Sequence, residues 1–172
     1  MTDRNQEKEL IKETIKEILQ AMGVDAQLDE EKLENIEGGE IFTVNLKMDD
    51  PSILIGQSGN NLQALQYIVK LLAYQKIKNF KLEDAKTDES SDSKMLRINL
   101  DINDYKKQRA DSLQEMARGM ADQVLYSESS VVLRPMSAYE RRIVHMEIAK
   151  RPELITESLG EEPFRKIIIK VK

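Results

Sequence analysis

One short stretch limits what this chain can fold into more than any other. Phe42, Val44, Leu46 and Met48 alternate with Thr43, Asn45 and Lys47 directly after the pair Gly38-Gly39. Twofold alternation places the apolar set on one face of a strand and the polar set on the other, and a glycine pair is a turn signal, so the segment reads as part of a hairpin with one buried face. Such a sheet needs a cover. Leu10, Ile11, Ile15, Ile18, Leu19 and Met22 recur at helical spacing and stop at Gly23, while Leu62, Leu65, Ile68, Val69 and Leu72 form a second helical stripe that runs to about residue 73. Helices beside a small sheet give an α+β class.

The remaining segments follow in order. Val24, Ala26 and Leu28 begin an alternation that the acidic run at Glu30 and Glu31 obscures. Asp50-Pro51 supplies a cap and a first-turn proline for a short helix over 52–55, which runs straight into Gly56-Gln57-Ser58-Gly59 and the second-stripe helix. At about 83–94 the chain turns polar and acidic without apolar period, which predicts a mobile loop. A strand returns at 95–101, with Leu96, Ile98 and Leu100 on one face. Beyond it, Leu113, Met116, Ala117, Met120 and Val124 stripe a long helix over 104–125, followed by a strand at 131–133, a further helix, and strands at 154–158 and 164–171. The expected organisation is two small domains, αββααβ over 1–101 and αβαββ over 102–172.

Composition closes several doors. The 172 residues contain no cysteine and a single histidine, which excludes disulfide scaffolds, thiol nucleophiles and His-rich metal sites. No apolar run is long enough to span a bilayer, and the first residues lack the basic and apolar regions of a secretory signal, so a cytoplasmic protein without stable membrane insertion is expected. The net charge of −5 is unevenly spread: residues 1–101 carry 13 basic and 20 acidic side chains, and residues 102–172 carry 13 and 11. Any contact with a polyanion should draw on the second half and be salt-sensitive.

That half holds the histidine. Ser137 and Glu140 form a capping-box spacing after Pro135, so a helix is expected to start there, and Arg141 and His145 lie four apart on it. The two project side by side from one face. Tyr139, Ile143 and Met146 group on one side, Val144 and Ile148 on another, which predicts packing on both flanks and an open sector at Arg141 and His145. In the first half, Gly56 and Gly59 permit a tight turn and close backbone approach, and the helix that follows offers free N–H groups and a positive dipole end to a phosphate. Asn60-Asn61-Leu62 after the loop lacks the Lys and Ser/Thr of a nucleoside-triphosphate P-loop.

Arg141-x-x-x-His145 resembles the signature of the RxxxH, or R-3-H, domain, a single-stranded nucleic-acid-binding module. The Gly56-Gln57-Ser58-Gly59 loop between two helices, after a hairpin and before a third strand, resembles that of the KH domain in its bacterial, type II order. Leu54 to Gly59 with Leu62 to Tyr67, then Leu133 to His145, then Glu162-Pro163-Phe164-Arg165, together look like the Jag family, bacterial RNA-binding proteins also called SpoIIIJ-associated or KhpB-type. The resemblance implies a single-stranded RNA binder, a post-transcriptional regulator or RNA chaperone, with DNA as a second possible strand and another KH-domain protein as a possible partner. A protein-interaction module is the alternative, and a His145-dependent RNase ranks below it. No catalytic residue, cofactor or metal is implied. RNA contacts are expected from Gly56, Gln57, Ser58, Gly59, Asn60, Arg141, Arg142 and His145, with Lys47 and Lys70 as weaker phosphate candidates and Tyr67 facing the core or half-buried.

Two departures matter. Family members usually carry a basic residue in the glycine loop, whereas Gln57 and Ser58 are neutral, so Arg141, Arg142 and His145 are expected to supply a larger share of the affinity. Many members also begin with a separate basic domain tied to membrane insertion; here the first helix reads as part of the KH fold.

Overall fold

A computed structural model describes residues 2–37, 39–83 and 96–172. The chain divides into two compact units, one running through Asp104 and the other Tyr105–Lys172. The first contains α1 (Thr2–Ala21), β1 (Gln27–Ile36), β2 (Gly39–Lys47), α2 (Ser52–Ile55), a single 3-10 turn (Gln57–Gly59), α3 (Asn60–Glu83) and β3 (Arg97–Ile102). β2 is central, antiparallel to β1 and parallel to β3. A parallel pair cannot be joined by a tight turn, and α2 and α3 form the crossover.

The alternation does what its period requires. Phe42, Val44 and Leu46 pair in register with Ile98, Leu100 and Ile102, and all six are buried. Ile11, Ile15 and Leu19 of α1, with Leu62, Leu65, Val69, Ala73 and Ile77 of α3, complete this core. Burial of the Val, Leu, Ile and Phe side chains among them stabilises by roughly 1.5–3 kcal/mol each. Asn103 closes the end of the parallel pair: its side chain accepts from the Met48 N–H and donates to the Met48 carbonyl, at 3.2 and 2.8 Å. Asp104 meets the side chain of buried Asn45, so both residues belong to the first unit and the division falls two residues beyond Ile102.

Two expectations need correction. α3 does not stop near residue 73 but continues to Glu83, because its buried stripe is 62, 65, 69, 73 and 77. Ile68 and Leu72, assigned to that stripe from the sequence, are 45% and 39% exposed. β1, the expected first strand of the hairpin, runs through the acidic stretch that obscured its alternation. As an edge strand it has no second neighbour to demand apolar alternation, and its charges discourage pairing with another chain. Apart from Glu83, which ends α3, the loop expected at about 83–94 lies outside the described residues.

The second unit comprises α4 (Tyr105–Ser127), β4 (Val131–Val132), α5 (Ala138–Ile148), β5 (Leu154–Leu159) and β6 (Lys166–Val171), with antiparallel strand order β4-β6-β5. Leu113, Ala117, Ala121 and Val124 of α4 pack with Val144 and Ile148 of α5 and with Ile167 and Ile169 of β6. Met116 and Met120 are partly buried against that core. Two buried carboxylates fasten α5 to α4: Glu140 accepts from Arg109 at 2.8 Å and Glu147 from Arg118 at 2.7 Å. The last strand starts at Lys166, two residues later than expected, which leaves Phe164 in the preceding turn. No helix among the described residues is long and apolar enough to cross a membrane.

Candidate nucleic-acid interface

The glycine loop is built from backbone geometry that other residues adopt only with strain. Gly56 has φ 68° and ψ −174°, Gly59 has φ 79°, and the non-glycine Ser58 between them has φ 53°. Gly56 also lies hard against Asn61: a Cβ there would sit 2.4 Å from the Asn61 Cγ. The Asn61 amide donates to the Ile53 carbonyl at 2.7 Å, so this side chain pins the end of α2 to the start of α3 and sets the width of the loop. Gln57 and Asn60 are exposed, Ser58 is half-buried and Gly59 is buried. The loop thus presents backbone and two neutral side chains at the N-terminus of a 24-residue helix, where unpaired N–H groups and the helix dipole favour an anion. Asn60 is the first helical residue; the bracing role falls to Asn61, which sequence reasoning missed. Its signal was an amide two residues past the loop's second glycine.

Before α2, Asp50 accepts hydrogen bonds from the Ser52 hydroxyl and then its backbone N–H, which hold the Asp50 carboxyl below its usual range. Tyr67 is 68% exposed, on an outer face of α3 with Ile68, Leu71 and Leu72, and does not face the core. Lys47 is exposed and Lys70 half-buried.

In the second unit the capping box forms as the sequence predicts. The Ser137 N–H donates to Glu140 at 2.9 Å, and the Glu140 N–H donates to the Ser137 hydroxyl at 3.3 Å. The expected open sector is overturned. Arg141 is 8% exposed; its guanidinium donates to the Met136 carbonyl and to Glu162, each at 2.7 Å. The outward face of α5 carries Tyr139, Arg142 and Met146 instead, spaced three and four apart and all exposed. The two apolar groups of α5 are therefore unequal: Val144 and Ile148 reach the core, whereas Tyr139 and Met146 face solvent at 57% and 61%. The core side of this helix is chosen by the flanking sheet and α4, which the helix's own periodicity does not contain.

His145 stands at the border between these faces, half-buried against β5. Its Nδ1 meets the Thr156 hydroxyl at 2.5 Å and its Nε2 meets the Ser158 hydroxyl at 3.2 Å. A neutral ring satisfies this arrangement by donating from one nitrogen and accepting at the other, since hydroxyls do both. Burial, and after it the neighbouring Arg141 guanidinium, lowers the His145 pKa from its usual value.

The second unit's arginines fall into two groups. Arg109, Arg118, Arg141 and Arg151 are ion-paired. Arg134, Arg142 and Arg165 are exposed and form no ion pair with any described residue. Arg134 precedes α5 in the segment bonded to the start of β6, through Leu133 N–H to Ile167 and Met136 N–H to the Arg165 carbonyl, at 2.8 and 3.2 Å. Arg134 and Arg165 therefore stand near the start of α5, whose outer face carries Arg142. Among the described residues no group of three or more acidic or histidine side chains is placed to hold a metal ion.

Comparison with known proteins gives this geometry a lineage. Residues 8–83 match the family model of the KhpA/KhpB KH domain, and residues 111–171 match that of the R-3-H domain. A Clostridium symbiosum protein named RNA-binding protein KhpB is 38% identical over 131 residues, 76% of this chain and 52% of the relative. The chain belongs to the KhpB, or Jag, family. Its KhpB relatives also include proteins of the same name from Bacillus subtilis, 28% identical over 123 residues (70% of this chain, 52% of the relative), and Lactiplantibacillus plantarum, 25% over 155 (90% and 42%). The chain spans about half the length of these KhpB relatives. The KH match begins within α1, so in this KhpB-type chain the first helix is part of the KH domain.

Proposed function

We propose that this chain binds single-stranded RNA without catalysis, as a cytoplasmic post-transcriptional regulator or RNA chaperone. The KhpB relatives are named RNA-binding proteins, and both matched domains are present here. The observation that carries the reading is the trio of exposed arginines Arg134, Arg142 and Arg165, without an ion-pair partner among the described residues and beside a helix whose other cation is tied down. Guanidinium groups that no described carboxylate neutralises, on a chain of net charge −5, are suited to phosphate. In this account Gly56, Gln57, Ser58, Gly59 and Asn60 receive a phosphate at the start of α3, and Arg142 supplies the principal cation of α5. His145 hydrogen-bonds at the border, while Arg141 acts chiefly by holding the adjoining turn. His145 hydrogen-bonds two hydroxyls and no described carboxylate, and the Arg141 guanidinium disfavours the imidazolium that a general base must form, which argues against acid–base catalysis. Titrating a labelled single-stranded oligoribonucleotide, with a DNA strand as competitor, tests the proposal: saturable, salt-sensitive binding is expected, and its absence at micromolar protein refutes it.

A second property has its own support. Tyr67, Ile68, Leu71 and Leu72, neighbours on one side of α3, expose apolar surface on the first unit, from 68% at Tyr67 to 39% at Leu72. Clustered apolar side chains of this kind mark protein contacts. This face is proposed as the site at which a second KH-domain protein pairs with the chain.

A further inference from the structure

The turn between β5 and β6 carries a feature that packing does not explain. Phe164 is 75% exposed, yet the backbone around it is held at several points. Gly160 opens the turn at φ +89°, a conformation strained for any other residue, and the Phe164 N–H donates to the Glu161 carbonyl at 2.9 Å. Glu162 receives the Arg141 guanidinium at 2.7 Å, and the Arg165 carbonyl accepts from the Met136 N–H at 3.2 Å. A ring of this size contributes to the core only when buried, so a braced turn that holds it in water offers it to something else.

Its surroundings indicate what. Arg165 follows it directly, and Arg134 lies in the segment bonded alongside; both are exposed and without an ion-pair partner among the described residues. An aromatic face with guanidinium groups on the flanking backbone is the combination that holds a single strand, one group stacking on a base and the others meeting phosphates. An apolar protein partner would gain nothing from two uncompensated cations at the rim. We infer that Phe164 is a stacking platform for a base of the bound strand, on a turn whose position Arg141 fixes through Glu162. The inference rests on the RNA-binding reading and adds to it a contact residue outside the Arg-x-x-x-His pattern.

The chain contains no tryptophan, so Phe164→Trp introduces a sole reporter at the point in question. In the full chain, Phe164→Trp and Phe164→Tyr should keep single-stranded RNA affinity, and the tryptophan emission should be quenched as oligoadenylate or oligouridylate saturates the protein. Phe164→Leu, apolar but without a π face, and Phe164→Ala should each weaken binding by about five- to a hundredfold with unchanged thermal unfolding. Wild-type binding that Phe164→Ala leaves intact, with unmoved tryptophan emission, overturns this inference while the RNA-binding reading stands. Emission that answers to a KH-domain partner protein and not to RNA assigns Phe164 to a protein contact and also overturns it. A wild-type chain that binds no strand removes both.

Discussion

The Arg141 guanidinium donates to Glu162 at 2.7 Å across the mouth of the β5–β6 turn, and its other terminal nitrogen donates to the Met136 carbonyl at the same distance. The arginine of the Arg-x-x-x-His pattern is thereby a strut between the start of α5 and the turn that carries Phe164.

Arg141→Ala should therefore destabilise the second unit. The ion pair alone counts for little, because Glu162 is 57% exposed and water screens it. The larger loss is the buried Met136 carbonyl left without its donor and the missing arginine stem, together about 1–3 kcal/mol. Glu162→Gln should cost less than about 1 kcal/mol. Urea denaturation of both variants checks the order, and an Arg141→Ala chain of unchanged stability would instead favour a direct contact with the strand.

His145 should titrate below its usual value of 6.5, because burial and then Arg141 disfavour its charged form. The folded chain keeps the ring neutral to lower pH than the unfolded chain, so the unfolded state binds more protons in that window. Stability is full above about 6.5 and declines as the pH falls through the folded value. As the chain's sole histidine, it gives one set of imidazole signals by NMR. His145→Gln should flatten this part of the stability profile; an NMR pKa at or above 6.5 contradicts the account.

Gly56→Ala should destabilise the first unit by about 1–3 kcal/mol, since its backbone conformation belongs almost solely to glycine. The new methyl would also overlap Asn61. Adding Asn61→Ala should recover only part of the loss, because it relieves the overlap while leaving the backbone strain and freeing the Ile53 carbonyl. Full recovery in chemical denaturation would show that the backbone conformation is not the constraint.

Leu71→Glu on the outer face of α3 should leave the unfolding temperature within a few degrees of wild type, as the residue is 59% exposed. It should abolish the proposed pairing with a KH-domain protein in sedimentation velocity. Undiminished pairing would place that contact elsewhere.

The first unit was legible because its central strand alternates cleanly and its helices have glycine or proline punctuation. What escaped were elements whose reasons lie elsewhere in the fold. The extent of β1 through its acidic run reflects its place at the sheet edge, and α3 extends because Ala73 and Ile77 meet the core on a stripe offset from Ile68 and Leu72. At the site, the capping box of Ser137 and Glu140 was readable from spacing alone, since both partners lie within one turn. The fate of Arg141 was not: its acceptor Glu162 is 21 residues away, and only the fold brings the two together. Phe164 lies in a segment that carries the family resemblance, but only its exposure singles it out, and contact with Gly56 singles out Asn61.

The most direct test of the central claim is the affinity for a labelled single-stranded oligoribonucleotide, measured by anisotropy across a range of salt for wild type, Gly59→Asp and Arg142→Ala. The account predicts that wild-type affinity falls linearly with salt on logarithmic axes and that Arg142→Ala makes the slope shallower by about 0.7, one phosphate contact on a single strand. Because Gln57 and Ser58 add no charge, Arg142→Ala should also lose more affinity than Gly59→Asp. Wild-type binding that ignores salt, or a larger loss from Gly59→Asp than from Arg142→Ala, would contradict it.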